Sequence, residues 1–345
     1  MGDHARAAAL STEHRGTNTG DVTMPIDDTL AGYSDLAYKT SIVVYALVLL
    51  LLIVQYASAR VRQVSEREMV PAGGVAAGSA TPGRIAETPT LPLSERLGNM
   101  AFSVLFVAVA LHVGSIVLRG FSTGRFPLGN MYEFVSMATA AAAVVGLVLM
   151  RDARFRAMWV FLLVPMLILM FLAGTVLYTD AAPVVPALRS FWLPLHVTIV
   201  SLGSGVFLVS GVASLLFLYR LRQPEGAESS NILGTIARRL PDARTLDRLA
   251  YRTTIIGFPL FGAGVILGAI WAEAAWGRFW GWDPKETCSF IAWVLYAAYL
   301  HARATSGWRD TKAAWINVAG FVAMLFNLFI INLVVSGLHS YSGLT

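Results

Sequence analysis

The feature that most constrains this chain is a series of eight apolar runs, each of about 20 residues or more. An α-helix needs about 20 apolar residues to cross the hydrocarbon core of a bilayer. Backbone groups in lipid must also find their hydrogen bonds within the protein, so each run is expected to be helical. The runs therefore predict an all-α, polytopic membrane protein with eight transmembrane helices. They lie at residues 40–59, 97–119, 130–150, 157–179, 192–219, 253–273, 287–305 and 312–337.

The distribution of charge predicts the orientation of these helices. The chain is 56% hydrophobic and only 14% charged, which excludes an ordinary soluble domain. Of its 26 Lys and Arg residues, 18 lie in the loops at 60–96, 151–156, 220–252 and 303–312. Loops rich in Lys and Arg stay in the cytoplasm, so we expect both termini outside. Basic residues placed in this way predict contact with membrane lipid and no binding of nucleic acid.

The polar segments divide the chain into four parts. Residues 1–39 are predicted to form a disordered extracytoplasmic tail, and residues 40–59 the first transmembrane helix. Residues 60–96 are rich in Ala, Gly, Pro and Ser and predict a flexible cytoplasmic linker. Residues 97–345 are predicted to form a core of seven helices. The single cysteine, Cys288, excludes an internal disulfide, and the absence of a CxxC motif means that redox-active thiols must come from a partner.

The loop between the sixth and seventh runs carries the strongest functional signal. Residues 276–286 read WGRFWGWDPKE and hold three tryptophans and two glycines. Flat indole rings beside glycines suit a large, planar, apolar ligand that lies against the membrane surface. Single tryptophans at helix ends are typical of an interfacial belt, but their clustering in one loop favours a binding surface. The candidate residues are Trp271, Trp276, Trp280 and Trp282.

Two helix starts flank the predicted site. Asp283, followed by Pro284 and Glu286, has the pattern of an N-cap with a capping box. Asn130 and Glu133 form a second such pair. We expect these caps to determine how the loops leave the membrane, and Asp283 to start a helix whatever else it does.

Three histidines are candidate ligands. His196 and His339 lie at helix ends on the side of the aromatic loop, and two imidazoles beside an aromatic surface suggest haem with both axial positions filled by protein. His301 lies within the seventh run, and ionisable residues inside a bilayer are usually functional. Arg278 is the best candidate for pairing with a haem propionate. For His112, in the second run, we expect only an interhelical hydrogen bond.

The motif WGxxWxWDPKE at 276–286 resembles the tryptophan-rich WWD signature of haem-handling proteins in cytochrome c maturation. Together with FPLGNMYE at 126–133, the eight runs and the placement of the histidines, it resembles the CcsA family (also called ResC) of System II. Actinobacterial members of that family are often labelled CcsB. The resemblance covers about residues 97–343, with the WWD loop at 271–286.

The resemblance implies a function. Haem b would be a substrate in transit, carried to the outer face of the cytoplasmic membrane and presented for thioether attachment to CxxCH apocytochromes c. His196 and His339 match the family's two external axial ligands, and His301 matches its transmembrane histidine. The implied partners are a ResB-type membrane subunit, a thioredoxin-like thiol reductant and apocytochrome c. The chain would then be a subunit of holocytochrome c synthase, and we assign no catalytic residue to it.

Two other functions are considered beside this one. A b-type cytochrome in quinol electron transfer would place histidine pairs within the bilayer, whereas the best histidines here lie at helix ends. A haem transporter without a synthase role is the second alternative. A transporter commonly lines its path with intramembrane charges or broken helices, and the apolar runs here are nearly free of charge.

Overall fold

The computed structural model describes residues 26–68, 92–183, 190–331, 334–335 and 337–338. The predictions for residues 1–25, for residues 69–91 and for His339 lie outside the described residues. Every regular element in the described part of the chain is a helix, which confirms the all-α fold.

Nine α-helices are present within these ranges. Their bounds are α1 Asp28–Glu68, α2 Leu93–Thr123, α3 Met131–Leu149, α4 Arg156–Thr175, α5 Trp192–Arg222, α6 Ile232–Ala237, α7 Ala243–Trp276, α8 Pro284–Ala304 and α9 Thr311–Phe326. A 3₁₀ turn precedes α4, and a π-helical turn, Asn327–Ile331, continues α9.

Seven of the described helices are long and apolar enough to cross a membrane, namely α1 to α5, α7 and α9 with its π-helical turn. The chain is therefore a multi-pass membrane protein. Among the predicted spans, the one missing from this set is α8, which was predicted at 287–305. Its mean hydropathy is lower because its ends carry charged or ionisable groups, Lys285 and Glu286 at the start and His301 and Arg303 at the finish. Its 21 residues still measure about 31 Å along the axis, and the number of eight spans stays a prediction.

The first helix differs from its predicted bounds. It begins at Asp28 instead of residue 40, so residues 28–39 belong to α1 and not to an irregular tail. Tertiary contacts explain the difference: Ser34 donates to the Ser115 carbonyl of α2, and Tyr38 donates to the Met170 carbonyl of α4. Residues 60–68 are also helical, as are residues 93–96 at the start of α2, so the predicted linker is shorter than expected.

Close backbone approach holds α5 against α7. A Cβ atom at Gly203 of α5 would lie 3.0 Å from the Phe261 nitrogen of α7, and one at Gly264 of α7 would lie 2.4 Å from Val200 Cγ2 of α5. Small residues at helix interfaces allow such contact between membrane helices. The pair is important for function because α5 carries His196 and α7 leads into the aromatic loop.

The described chain begins and ends on the same side of the bundle. The Asp27 nitrogen donates to the Ser122 carbonyl at the end of α2, and the Leu338 nitrogen donates to Asp283 at the start of α8. We call this side, with the loops at 124–130 and 277–283, the loop end. The opposite side, with the loops at 150–155, 223–242 and 305–310, is called the basic end.

His112 makes the interhelical contact that was expected of it. The side chain is fully buried in α2, and its Nε2 lies 3.2 Å from Ser136 Oγ of α3. The edges of Tyr38 and Tyr45 pack against the imidazole. His112 is remote from the aromatic loop in the sequence and does not line the cleft described below.

Candidate functional site

A cleft opens at the loop end between α3, α5, α7, α8 and α9. It contains about 1200 Å³ of empty space, part of which is open to the surroundings. Of the predicted site residues, His196, Trp271 and Trp280 line it. Its other apolar walls include Leu128, Met131, Phe134, Phe261, Phe279 and Met324.

The imidazole of His196 is held in one orientation by α7. Its Nδ1 lies 2.7 Å from the Gly264 carbonyl oxygen. A carbonyl only accepts hydrogen bonds, so Nδ1 carries the proton and the neutral ring has its lone pair on Nε2. That tautomer is the one that binds a metal ion through Nε2. His196 therefore has the chemistry of a ligand.

A missing side chain makes room for this ring. A Cβ atom at Gly268 would lie 2.7 Å from His196 Cε1 and 2.8 Å from Nδ1. Trp271 lies parallel to the imidazole, with the ring centroids 6.3 Å apart and the planes at 5°. Gly268 and Trp271, three residues apart on α7, thus both restrict the position of the ring.

The tryptophans form two pairs and not one continuous surface. Trp271 is only 2% exposed and packs against the edge of Trp276, with centroids 4.7 Å apart. Trp280 meets Trp282 edge to face at 5.8 Å. Trp282 is 68% exposed and, like Trp276, is not part of the cleft wall.

The backbone of the loop explains this division. α7 ends at Gly277, which has φ +70° and lets the chain reverse after Trp276. The Glu286 carboxylate then accepts hydrogen bonds from the nitrogens of Gly281 and Asp283, at 2.9 and 3.1 Å. Trp282, between these two donors, is forced to φ +57° and directs its indole outward.

Arg278 is already engaged within the loop. Its guanidinium lies 3.4 Å from Glu286 Oε1 and above the ring of Trp276. The side chain is about one third exposed and does not line the cleft. Arg278 therefore supports the turn, and any contact with a ligand would compete with Glu286.

Asp283 connects two parts of the loop end. As expected, it caps α8, with Oδ2 accepting from the Lys285 nitrogen, and Glu286 completes the capping box. Its Oδ1 also accepts from the Leu338 nitrogen at 3.0 Å. A Cβ atom at Gly337 would lie 2.8 Å from the same oxygen. Asp283 thus holds the turn that directly precedes His339 in the sequence, a contact that the sequence does not reveal.

Lys285 lines the cleft, although Arg278 was predicted to be the better partner for a propionate. Its side chain is half-buried in the cleft wall beside Glu286 and Ser289. Burial lowers the pKa of Lys285 to about 8, and the nearby Asp283 carboxylate partly opposes this effect. The sequence signals for Lys285 are its positive charge and its place in the motif, directly after Asp283 and Pro284.

Two other arginines at the loop end, in the described part of the chain, are committed to structure. Arg119 and Arg125 both pair with the buried Glu133, at 3.1 and 2.9 Å. Glu133 also accepts from the Gly129 nitrogen, while Asn130 caps α3 as expected. This network positions residues 128–131, which form the cleft wall on the α3 side.

His301 lies at the opposite side of the bundle. It is exposed in the last turn of α8, at the basic end, and not deep within the helix. Fifteen residues separate it from Glu286 at the cleft, which corresponds to about 22 Å along a helix axis. His301 and His196 therefore belong to different sites.

Comparison with known proteins gives a consistent result. The family model described as cytochrome C assembly protein matches residues 128–339. A cytochrome c biogenesis protein CcsA from Gloeobacter violaceus is 33% identical over 304 residues, covering 74% of this chain and 89% of its own length. CcsA from Prochlorococcus marinus is 35% identical over 269 residues, covering 70% and 85%. CcsA from Mesostigma viride is 33% identical over 267 residues, covering 72% and 86%.

The matched region contains the whole cleft, from the α3 wall at residue 128 to the turn after α9. The similarity therefore includes the elements that build the site and not only apolar helices in general. This membrane protein belongs to the cytochrome c assembly protein family and, within it, to the CcsA/ResC cytochrome c biogenesis proteins.

Proposed function

We propose that the cleft at the loop end holds haem b as a substrate in transit and presents it for covalent attachment to apocytochrome c. The observation that carries this proposal is the state of His196. Its Nδ1 proton is bound to the Gly264 carbonyl, which gives the neutral ring the lone pair that an axial ligand needs. The cleft beside it is lined mainly by apolar side chains, as a porphyrin requires.

The second axial ligand in this proposal is His339. The residue itself lies outside the described part of the chain, but the preceding Leu338 is bound to Asp283. Asp283 also starts α8, whose first turns line the cleft. The aromatic loop and the segment that continues to His339 are thereby held by one carboxylate.

Haem propionates are anionic and need cationic partners. Lys285 lines the cleft directly, so we propose it as the first of these partners. Arg278 is the second candidate, and it would have to exchange its contact with Glu286 for a propionate. Trp280 provides an apolar wall, whereas Trp282 lies too far toward the exterior to line the cleft in the same way.

His301 is proposed to belong to an inner haem position. It is exposed at the basic end, on a helix whose other end reaches the cleft. In this proposal the exposed imidazole fills one axial position of a haem, and a second membrane subunit fills the other. A ResB-type partner is the proposed source of the opposing ligand.

The reaction itself needs little acid–base chemistry from this chain. Each cysteine thiol adds across a haem vinyl group, so that a C–S bond forms at one vinyl carbon and the thiol proton is added to the other. No atom is lost, and no net oxidation takes place. The contribution of the protein is to hold the porphyrin so that both vinyl groups face the two cysteines of CxxCH. A thioredoxin-like reductant is proposed to keep those cysteines in the thiol form.

The proposed location is the cytoplasmic membrane, with the loop end outside. The basic end contains Arg151, Arg154, Arg156, Arg238, Arg239, Arg244, Arg248, Arg252 and Arg309, which favours the cytoplasmic side for that end. Haem attachment would then take place outside, at the loop end.

The direct test is the absorbance spectrum of the detergent-purified full chain, with and without its ResB-type partner. We expect a b-type haem spectrum that weakens in His196→Gly, and we expect added imidazole to restore both the spectrum and cytochrome c assembly. A full spectrum in His196→Gly without imidazole would contradict ligation by this residue.

A pair of tryptophan variants tests the shape of the site. Trp280→Ala should lower haem occupancy because Trp280 lines the cleft, and Trp282→Ala should have a smaller effect. Trp315→Ala, at an exposed position on α9, serves as the control for loss of an interfacial tryptophan. Equal losses in all three variants would identify the tryptophans as a membrane belt only.

The alternatives give different results in the same preparations. A b-type cytochrome in electron transfer would show rapid reduction of its haem on addition of quinol. A haem transporter without a synthase role would bind haem but leave it unattached when supplied with a partner subunit, thiol reductant and a CxxCH peptide. Thioether formation under those conditions favours the synthase function.

A further inference from the structure

A second cavity lies at the basic end, far from the haem-binding cleft proposed above. It is formed by the end of α3, the 3₁₀ turn before α4 and the first turns of α7. It contains about 680 Å³ of empty space, including space open to the surroundings. Its polar lining consists of three arginines, one aspartate and one threonine, namely Arg154, Arg248, Arg252, Asp152 and Thr245. None of these residues belongs to the matched motifs of the aromatic loop.

Two of the arginines have no partner in the described part of the chain. Arg248 and Arg252 are four residues apart on α7 and therefore lie on the same face, where two like charges destabilise the helix. The nearby carboxylates are engaged elsewhere, since Asp247 binds Arg303 and Asp242 caps the start of α7. An anion between the two guanidinium groups would remove this repulsion.

The other side of the cavity is apolar. Val148, Leu149, Phe155 and Leu249 form this wall, and Val148 is 67% exposed in the last turn of a membrane-spanning helix. A cavity with arginines at the membrane boundary and an apolar wall continuous with the lipid-facing surface matches a molecule that is anionic at one end and hydrocarbon at the other. Asp152 provides one negative charge, and its pairing with Arg154 leaves the two α7 arginines available.

We propose that this cavity binds an anionic phospholipid, with the phosphate between Arg248 and Arg252 and an acyl chain along Val148. The guanidinium fork suits a phosphate through paired hydrogen bonds. A lipid bound in this way would link the turn between α3 and α4 to the start of α7. It would thereby stabilise the helix that carries Trp271 at its other end.

The test measures binding of phosphatidylglycerol and phosphatidylcholine to the purified full chain by native mass spectrometry, and the change in thermal stability on adding each lipid. The test variant is Arg248→Gln with Arg252→Gln. The control is Arg96→Gln with Arg222→Gln, which removes the same charge from exposed positions at the same end that do not line the cavity and do not lie on α7. We expect phosphatidylglycerol binding to fall by roughly tenfold or more in the test variant and to change little in the control.

A conservative variant separates charge from geometry. Arg248→Lys with Arg252→Lys keeps both charges but loses the planar fork, so we expect intermediate affinity. Equal losses in the test and control variants would overturn the proposal, because they would show a diffuse charge effect. Stabilisation of the wild type by inorganic phosphate alone, to the same extent as by phosphatidylglycerol, would also overturn it and identify a small-anion site. These outcomes do not depend on haem, so they are separate from the test of the proposed function.

Discussion

At the scale of single residues, the orientation of His196 depends on two features of α7, the Gly264 carbonyl and the absent side chain of Gly268. The carbonyl selects the tautomer, and the glycine leaves the space that the ring fills. Neither feature is a conventional functional residue. Both are needed for the proposed ligation, because a ligand must present the correct nitrogen in a defined direction.

The space at Gly268 leads to a specific prediction. Gly268→Ala would place a Cβ atom 2.7 Å from His196 Cε1, so the imidazole has to move away from the Gly264 carbonyl. We expect haem occupancy to fall by about tenfold or more, as for loss of a well-positioned partner of a ligand. Occupancy is measured by absorbance per purified chain.

The matched control is Gly114→Ala in α2, where nothing lies within 4 Å of the added Cβ atom. That variant should keep wild-type occupancy and gain slightly in helix stability. Equal occupancy in Gly268→Ala and Gly114→Ala would contradict the role given to Gly268.

The pKa of Lys285 predicts a dependence on pH. Burial lowers this pKa from 10.5 to about 8, so the ammonium group of the folded chain loses its proton as the pH rises through about 8. Affinity for haem should therefore decrease above pH 8, because the propionate loses a cationic partner. Between pH 8 and 10.5 the unfolded chain binds more protons at this group, so its contribution to folding stability rises with pH.

Haem titrations between pH 6.5 and 9.5 measure this effect. Lys285→Gln should bind haem more weakly at pH 7 and should not show the decrease near pH 8. An unchanged pH profile in Lys285→Gln would assign the decrease to another group.

At the scale of elements, the loop between α7 and α8 is organised by carboxylates and not by its tryptophans. Glu286 gathers the nitrogens of Gly281 and Asp283, which holds Trp282 at a positive φ that costs about 1–3 kcal/mol. Asp283 starts α8 and also binds the turn at residues 337–338. These backbone contacts therefore determine the positions of the indole rings in the loop.

The contact between Asp283 and the final turn predicts the effect of Gly337→Ala. The added Cβ atom would meet Asp283 Oδ1 at 2.8 Å and push the turn away without removing the cap of α8. If His339 is the second axial ligand, we expect part of the haem to change from a six-coordinate, low-spin spectrum to a five-coordinate, high-spin one. Imidazole should reverse the change.

Asp283→Asn is the companion variant, since asparagine also caps helices and retains an accepting oxygen. It should keep most of the low-spin spectrum. A purely low-spin spectrum in Gly337→Ala, with normal haem occupancy, would show that the final turn has no effect on ligation of the iron.

At the scale of the whole molecule, a buried polar cluster joins three helices near the basic end. Asn317 of α9 donates to Ser210 and Ser214 of α5, at 3.0 and 2.9 Å, and approaches Thr254 of α7. Polar side chains within membrane helices associate them because hydrocarbon offers no alternative partner. The cluster keeps α5, α7 and α9 together below the cleft.

We predict that Asn317→Leu lowers the free energy of unfolding by about 1–2 kcal/mol, from loss of two or three interhelical hydrogen bonds at about 0.6 kcal/mol each and poorer packing. The measurement is the thermal unfolding midpoint in detergent. Trp315→Leu, on the exposed face of the same helix, should change stability by less than about 0.5 kcal/mol. Similar losses of unfolding free energy in the two variants would show that the polar cluster does not hold the three helices together.

The residue pattern predicted those features that depend on neighbours in the chain. The apolar runs located the membrane helices, and the caps at Asn130 and Asp283 marked the starts of α3 and α8. The start of α1 was missed because the segment at 28–39 is helical through contacts with α2 and α4, which are distant in sequence. The pairing of Arg119 with Glu133 was missed because it depends on how α2 and α3 pack together.

The sequence by itself determined that the chain lies in a membrane, where its helices lie and which family motif it carries. This is possible because hydropathy, helix capping and the spacing of motif residues are local properties of the chain. Only the tertiary structure decided which members of the motif meet. It buried Trp271, exposed Trp282, added Lys285 to the cleft and joined Asp283 to the turn after α9. The direction of a side chain depends on how its helix is rotated and how closely it packs. These are set by contacts such as Gly203 with Phe261 and Gly264 with Val200, which link residues about 60 positions apart.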